Sequence, residues 1–216
     1  MSDNNAPHAL LFTAPGCPHC PGVKAALEKL RDEGVIAELE VVSIAEQQAR
    51  AAEMGVRSVP WLKLGEFVLT GAQTPQQLRE WAEKAAGTAD TGDYLEHLLA
   101  NGELAEAESL LQKQPDHLPA LLALLEKPDA PIQVRLGVSA VIEGMEGSAA
   151  LKKLLPELSK MSEHPDHQLR SDACHFLGLS HSSEAEAPLR RRLEDENEEV
   201  REIAAESLEL LNEDVG

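Results

Sequence analysis

Gly16-Cys17-Pro18-His19-Cys20-Pro21 is the stretch on which the reading of this chain turns. It follows a short apolar run, His8 to Thr13, suited to a buried strand. It precedes Val23 to Leu30, where Val23, Ala26, Leu27 and Leu30 have helical spacing. Two cysteines three apart at a helix start present their thiols to one side, within disulfide reach. Cys17 at the helix N-terminus faces unpaired backbone N–H groups and the positive end of the dipole, and both favour thiolate over thiol. Cys20, one turn in and more buried, is suited to attack a mixed disulfide and release the product. Pro18 and Pro21 fall in a first turn whose N–H groups lack helical partners anyway, so they stiffen it without breaking it. His19 can stabilise the Cys17 thiolate by hydrogen bonding or, when protonated, by charge. The rival reading is half of a structural zinc site. That needs four ligands, usually two such pairs, and the third cysteine, Cys174, stands alone; no metal site is assigned.

Outward from this motif the first half alternates element types. Val35 to Ile44 is rich in β-branched residues and reads as a second strand; Ala45 to Met54 reads as a helix closed by Gly55 in the left-handed conformation. Trp61-Leu62-Lys63-Leu64 and Phe67-Val68-Leu69 flank Gly65-Glu66, a hairpin signal, and Thr74-Pro75-Gln76-Gln77 opens a helix to Ala86 with a capping box. The expected order is β-α-β-α-β-β-α, a mixed sheet with helices on it. Ser58-Val59-Pro60 precedes the third strand, and an X-Pro bond costs only about 0.5–1 kcal/mol to hold cis.

Strand, CxxC, helix, then Val-Pro before a closing hairpin and a last helix: over about residues 7–87 the chain resembles the thioredoxin superfamily, in a compact order similar to glutaredoxins and small thioredoxins. The resemblance implies a Pro60 loop lying against the cysteine pair, with Val59 offering backbone groups to an extended substrate segment. It makes Cys17, Cys20, His19 and Pro60 the catalytic candidates and Val59 and Pro18 the substrate-binding ones, with no cofactor. The chain departs from the family pattern at Gly16, where thioredoxins have Trp, and at Leu11, where their buried Asp would fall. Its Pro18-His19 pair is the dipeptide of oxidising DsbA-like proteins, and Gly71-Ala72 stands where glutaredoxins usually show Gly-Gly.

The second half has no convincing strand, and it repeats itself. Val134-Arg135, Leu169-Arg170 and Val200-Arg201 recur at intervals of 35 and 31 residues. Small residues follow each Arg (Val138-Ser139, Ala173-Cys174, Ala204-Ala205), then a large aliphatic (Ile142, Leu177, Leu208), and a Pro/Asp/Glu-rich turn precedes each unit. This describes the second helix of a stacked helical pair. The pattern resembles HEAT-like repeats, best in the copy from Asp195 to Leu211, and Tyr94 to Leu125 supplies further helices. Such repeats often use an Arg of this kind to tie neighbouring loops together. Cys174 falls on a small packing position and reads as a core residue. His164, His167, His175 and His181 cluster around it in sequence but read as satisfied or solvated side chains. Glu194 to Glu199 reads as a solvated turn and helix start, and Trp61 and Trp81 as core. The expected domains are 1–88, thioredoxin-like, and 89–216, an all-α HEAT-like solenoid, joined by the small polar stretch Gly87 to Gly92.

Composition bounds the function. Residues 1–88 carry 8 Lys and Arg against 11 Asp and Glu, and residues 89–216 carry 11 against 27, so the formal charge of −19 belongs mostly to the second half. Such a chain repels phosphate backbones and anionic lipid, which removes nucleic acid and membrane from the expected partners. No apolar run is long enough to span a bilayer, the start Met1-Ser2-Asp3-Asn4-Asn5 has no basic leader, and a close Cys pair suits a reducing compartment; a cytoplasmic location is expected. The expected activity is thiol–disulfide exchange on a protein disulfide or thiol, with the repeats docking a protein partner. The alternative is a chaperedoxin-like holdase that binds clients, with redox chemistry secondary.

Overall fold

The structure, a computed structural model, describes residues 6–87 and 91–213. The chain divides into two compact units, Met1–Asp90 and Thr91–Gly216. The expected linker lies partly outside the described residues. No helix among the described residues is long and apolar enough to cross a membrane.

The first unit is built on the apolar run, strand β1 (His8–Thr13). After helix α1 (Cys20–Asp32), β2 (Glu38–Ser43) pairs with it in parallel. After the short α2 (Gln48–Glu53), β3 (Trp61–Leu64) pairs antiparallel on its other edge, and β4 (Phe67–Thr70) completes the order β2-β1-β3-β4. Helix α3 (Pro75–Ala86) closes the unit behind the expected capping box of Thr74 and Gln77. Alternation along β1 sends its side chains to two cores. Leu11 stands opposite Val41 and Leu62, and lies at 0% exposure on the face covered by α1 and α3. Phe12 stands opposite Val42 and Trp61, its ring edge-on to Trp61, and these three pack with Ala51 of α2. Trp81 of α3 lies edge-on to Phe67. Both tryptophans are core, as expected.

Two boundaries differ from the sequence reading. The second strand begins at Glu38 rather than Val35, because Gly34 (φ +76°) and Val35 donate to the Arg31 and Leu30 carbonyls and end α1. Val35 is therefore a hydrophobic cap residue, not a strand residue. The second helix begins at Gln48 rather than Ala45, since Glu46 and Gln47 both donate to the Ser43 carbonyl and Ile44 packs against the Phe12 cluster. Its end is as read: Gly55 is left-handed at φ +72°.

The second unit is helical throughout its described residues: α4 (Thr91–Ala100), α5 (Leu104–Lys113), α6 (Leu118–Ala123), α7 (Ile132–Glu143), α8 (Ala149–Lys153), α9 (Leu155–Met161), α10 (His167–Leu179), α11 (Glu186–Arg192) and α12 (Glu198–Glu213). The three Arg-bearing segments are α7, α10 and α12, and each Arg grips the turn ahead of its own helix. Arg135 donates to the Leu125 carbonyl, Arg170 to those of His164 and Pro165, and Arg201 to those of Asp195 and Glu196. Arg170 also reaches the next turn, where its Nε and Nη2 bind both oxygens of Asp195 at 2.9 and 2.8 Å. Asp195 is thus no solvated turn acid. It is buried, accepts from the Asn197 N–H and from Arg192, and knits α10, α11 and the start of α12 together. Acidity in the surrounding run hid this one buried carboxylate.

Two glycines mark close helix crossings. A Cβ on Gly178 of α10 would meet the Ser207 Cβ of α12 at 2.8 Å, and one on Gly137 of α7 would meet Leu99 of α4 at 3.0 Å. The Gly178→Ala variant should lose about 1–3 kcal/mol in denaturant unfolding, the usual cost of forcing atoms into a filled crossing. Asp195→Ala leaves Arg170 buried without its partner and should cost about 3–5 kcal/mol. The guanidinium of Arg170 holds the Asp195 carboxyl below the usual carboxylate range. The pair's contribution is therefore complete above about pH 4 and is lost as pH falls through the depressed native value, a dependence that Asp195→Ala should flatten in acid unfolding curves.

Candidate functional site

The cysteine pair is positioned by a turn that the sequence reading passed over. Ala14-Pro15-Gly16-Cys17 follows β1 directly, Cys17 N–H donates to the Ala14 carbonyl at 3.2 Å, and Gly16 lies at φ +78°. Pro then Gly at the two central positions, with positive φ at the second, is the signature of a type II turn. It swings the chain off the strand so that Cys17 stands just ahead of α1. The helix itself starts at Cys20, later than expected for Cys17. Pro18 disfavours helical backbone at Cys17, and His19 takes the N-cap place without a capping side chain. Pro21, with no N–H to leave unpaired, sits in the first turn, while Pro18 precedes the helix.

The two sulfurs form a disulfide, with Cα atoms 5.5 Å apart. Cys17 is partly exposed, whereas Cys20 is buried at 5% exposure, the asymmetry expected of an attacking and a resolving thiol. The Cys20 backbone N–H donates to Cys17 Sγ at 3.1 Å. The carbonyl oxygen of Val59 lies 3.9 Å from the same sulfur. In the reduced state these two groups pull in opposite directions: the N–H stabilises a thiolate, and the carbonyl accepts from an S–H. The amide is nearer by 0.8 Å and belongs to a helix start.

Val59 arrives at Cys17 through the loop between α2 and β3. The Val59–Pro60 peptide is cis, Pro60 is buried, and its carbonyl accepts from Gly71 N–H at 2.9 Å, which ties the loop to the end of β4. The Val59 N–H has no hydrogen-bond partner among the described residues. Cys17, Cys20, Val59 and Pro60 thus meet in space although some forty residues apart in the chain. Pro18 and His19 are exposed on the bend between the cysteines.

The second group singled out in the sequence does not assemble. His164 accepts from the Asp166 N–H, His167 lies 3.9 Å from Asp166, His175 pairs with Glu143 and His181 with Glu146. Among the described residues no three His, Cys, Asp or Glu side chains converge as a metal site would require. Cys174 is fully buried, and burial pushes its thiol up to about 12. Mass spectrometry after reduction and brief iodoacetamide treatment should find Cys17 labelled and Cys174 untouched, with Cys174 reacting only in denaturant. Labelling of native Cys174 at a comparable rate would contradict its placement.

Comparison with known proteins bears on each unit separately. The Thioredoxin domain family matches residues 10–83, and the HEAT repeats family matches residues 151–215, which covers the second and third Arg-bearing segments. A thioredoxin of Methanocaldococcus jannaschii is 37% identical over 76 residues, a span that takes in 34% of this chain and 89% of the archaeal protein. By that likeness, the chain belongs to the thioredoxin family through its first unit and carries HEAT repeats in its second.

Proposed function

We propose that the protein is a cytoplasmic thiol–disulfide oxidoreductase that acts on protein substrates through Cys17 and Cys20 and docks a protein partner on its repeats. The reading is carried by one observation, the Cys17 sulfur held on the Cys20 amide beside the Val59–Pro60 loop. In the reduced enzyme the Cys17 thiolate attacks one sulfur of a substrate disulfide. A Cys17–substrate bond forms, the substrate S–S bond breaks, and the departing thiolate takes a proton from solvent. Cys20 then loses its proton and attacks the Cys17 sulfur, which releases the second substrate thiol and leaves the Cys17–Cys20 disulfide. Two electrons pass from enzyme to substrate, and the opposite direction reverses each step. The uncommitted N–H of Val59 is a donor for an extended substrate segment, and the exposed Pro18 and His19 form the surface such a segment meets, with His19 able to steady the thiolate.

A holdase reading, with the redox pair secondary, draws on the exposed Ile132 and Leu136 of the repeats. Insulin reduction driven by dithiothreitol separates the two. The redox reading expects turnover abolished in Cys17→Ser and stable mixed disulfides, released by reductant, in Cys20→Ser. If Cys17→Ser keeps full turnover the redox reading fails. If the doubly alkylated protein still suppresses aggregation of a model client, the holdase reading gains.

A further inference from the structure

Among the large hydrophobic side chains described in the second unit, two on one helix stand far out in solvent, beyond the 38% exposure of Leu193 and Leu210. Ile132 and Leu136 of α7 are 61% and 63% exposed, the highest values among the large hydrophobics described. Four residues apart, they lie one above the other on the same helix face. The repeat framework does not ask for them. Counted from the shared Arg, their counterparts are His167 and Ser171 on α10, and Glu198 and Glu202 on α12. An apolar pair that departs from its own repeat and stays in water marks an interaction surface.

Charge says what kind of partner fits. Asp172 of α10 lies within electrostatic reach of Arg135, the neighbour of Leu136 across the α7–α10 joint, of His175 one turn along α10, and of the acids Asp166 and Glu199. The Arg135 guanidinium is already engaged with the Leu125 carbonyl. The Asp172 carboxylate has no ion pair or hydrogen bond among the described residues, and partial burial raises it above the usual range. Residues 89–216 carry 11 Lys and Arg against 27 Asp and Glu, so an acidic or phosphorylated partner is repelled and a cationic one attracted.

We propose that the flank of α7 bearing Ile132 and Leu136 docks a cationic amphipathic segment of a protein partner, with apolar side chains on that pair and a Lys or Arg on Asp172. This rests on the reading that the repeats bind protein, and not on the redox chemistry. The probe is a fluorescein-labelled sixteen-residue helix-forming peptide with a Leu face and a Lys face, titrated against the full chain, beside the same peptide with Glu for Lys. The Lys peptide should bind and the Glu peptide should not. The Ile132→Ser/Leu136→Ser double variant should weaken binding about tenfold, and Asp172→Asn about threefold, while Glu206→Gln/Glu209→Gln should stay within about twofold. Equal loss in the Glu206/Glu209 variant would reduce the effect to bulk charge and overturn the proposal, as would unchanged binding in the apolar double variant. Photo-crosslinking of the Lys peptide to unaltered protein must land on α7, a result independent of how any variant folds. Sedimentation as a dimer that the double variant abolishes would instead assign the face to a second copy of the chain. Insulin reduction should be the same in all variants; its absence from the unaltered protein would strike the redox reading and leave this one standing.

Discussion

One hydrogen bond underlies the chemistry proposed for this molecule: the first amide of α1, on Cys20, points at the sulfur of Cys17. It exists because three features of the chain agree. A buried strand ends at Thr13, a Pro-Gly turn redirects the backbone, and prolines delay the helix until Cys20, so the earlier cysteine sits over the helix mouth rather than inside it. Neither partner could be moved alone. Starting the helix at Cys17 would turn its sulfur into an ordinary first-turn side chain, and lengthening the turn would carry it away from the amide. The sheet secures the other half of the site, since β3 and β4 fix the loop that sets Val59 and Pro60 against the same sulfur.

The second unit obeys a different constraint, the need to bracket each inter-helix turn. A recurring Arg in the first turn of α7, α10 and α12 grips carbonyls that its own helix cannot satisfy. Only the middle copy adds a bidentate partner from the following turn, and the α10–α12 joint is also the one where a glycine admits a neighbouring backbone to the closest approach. Residues 151–215, which match HEAT repeats, contain that tightly bracketed pair. The earlier α7 keeps its Arg bracket but carries an exposed apolar flank. Rigid stacking and an open surface thus sit side by side in one array.

Much of this was legible in the residues themselves, because the signals were local. The element order of the first unit, the Thr74 capping box, the Gly55 cap and the buried Cys20 follow from periodicity and helix-end chemistry within a few residues. What escaped was either a conflict between two local signals or a long-range pairing. Val35 looked like a strand residue because a hydrophobic cap and a strand start draw on the same side chains. Pro15-Gly16 is a turn dipeptide, yet its role in placing Cys17 depends on the Cys17 N–H bond to the Ala14 carbonyl. Asp195 could not be told from its acidic neighbours, since what distinguishes it is burial and a bidentate contact with Arg170, twenty-five residues away. The glycine crossing at Gly178 likewise needs the position of Ser207, which no spacing rule supplies.

The central claim is that the Cys17 sulfur is ionised by the amide that faces it. Titration of thiolate absorbance in the reduced Cys20→Ser protein tests this most directly, because Cys174, with its thiol pushed up to about 12, stays silent over the relevant range. The account predicts a transition clearly below the roughly 8.5 of a free thiol. A midpoint at or above that value would show that the amide does not govern the sulfur, and the chemistry assigned to Cys17 would go with it.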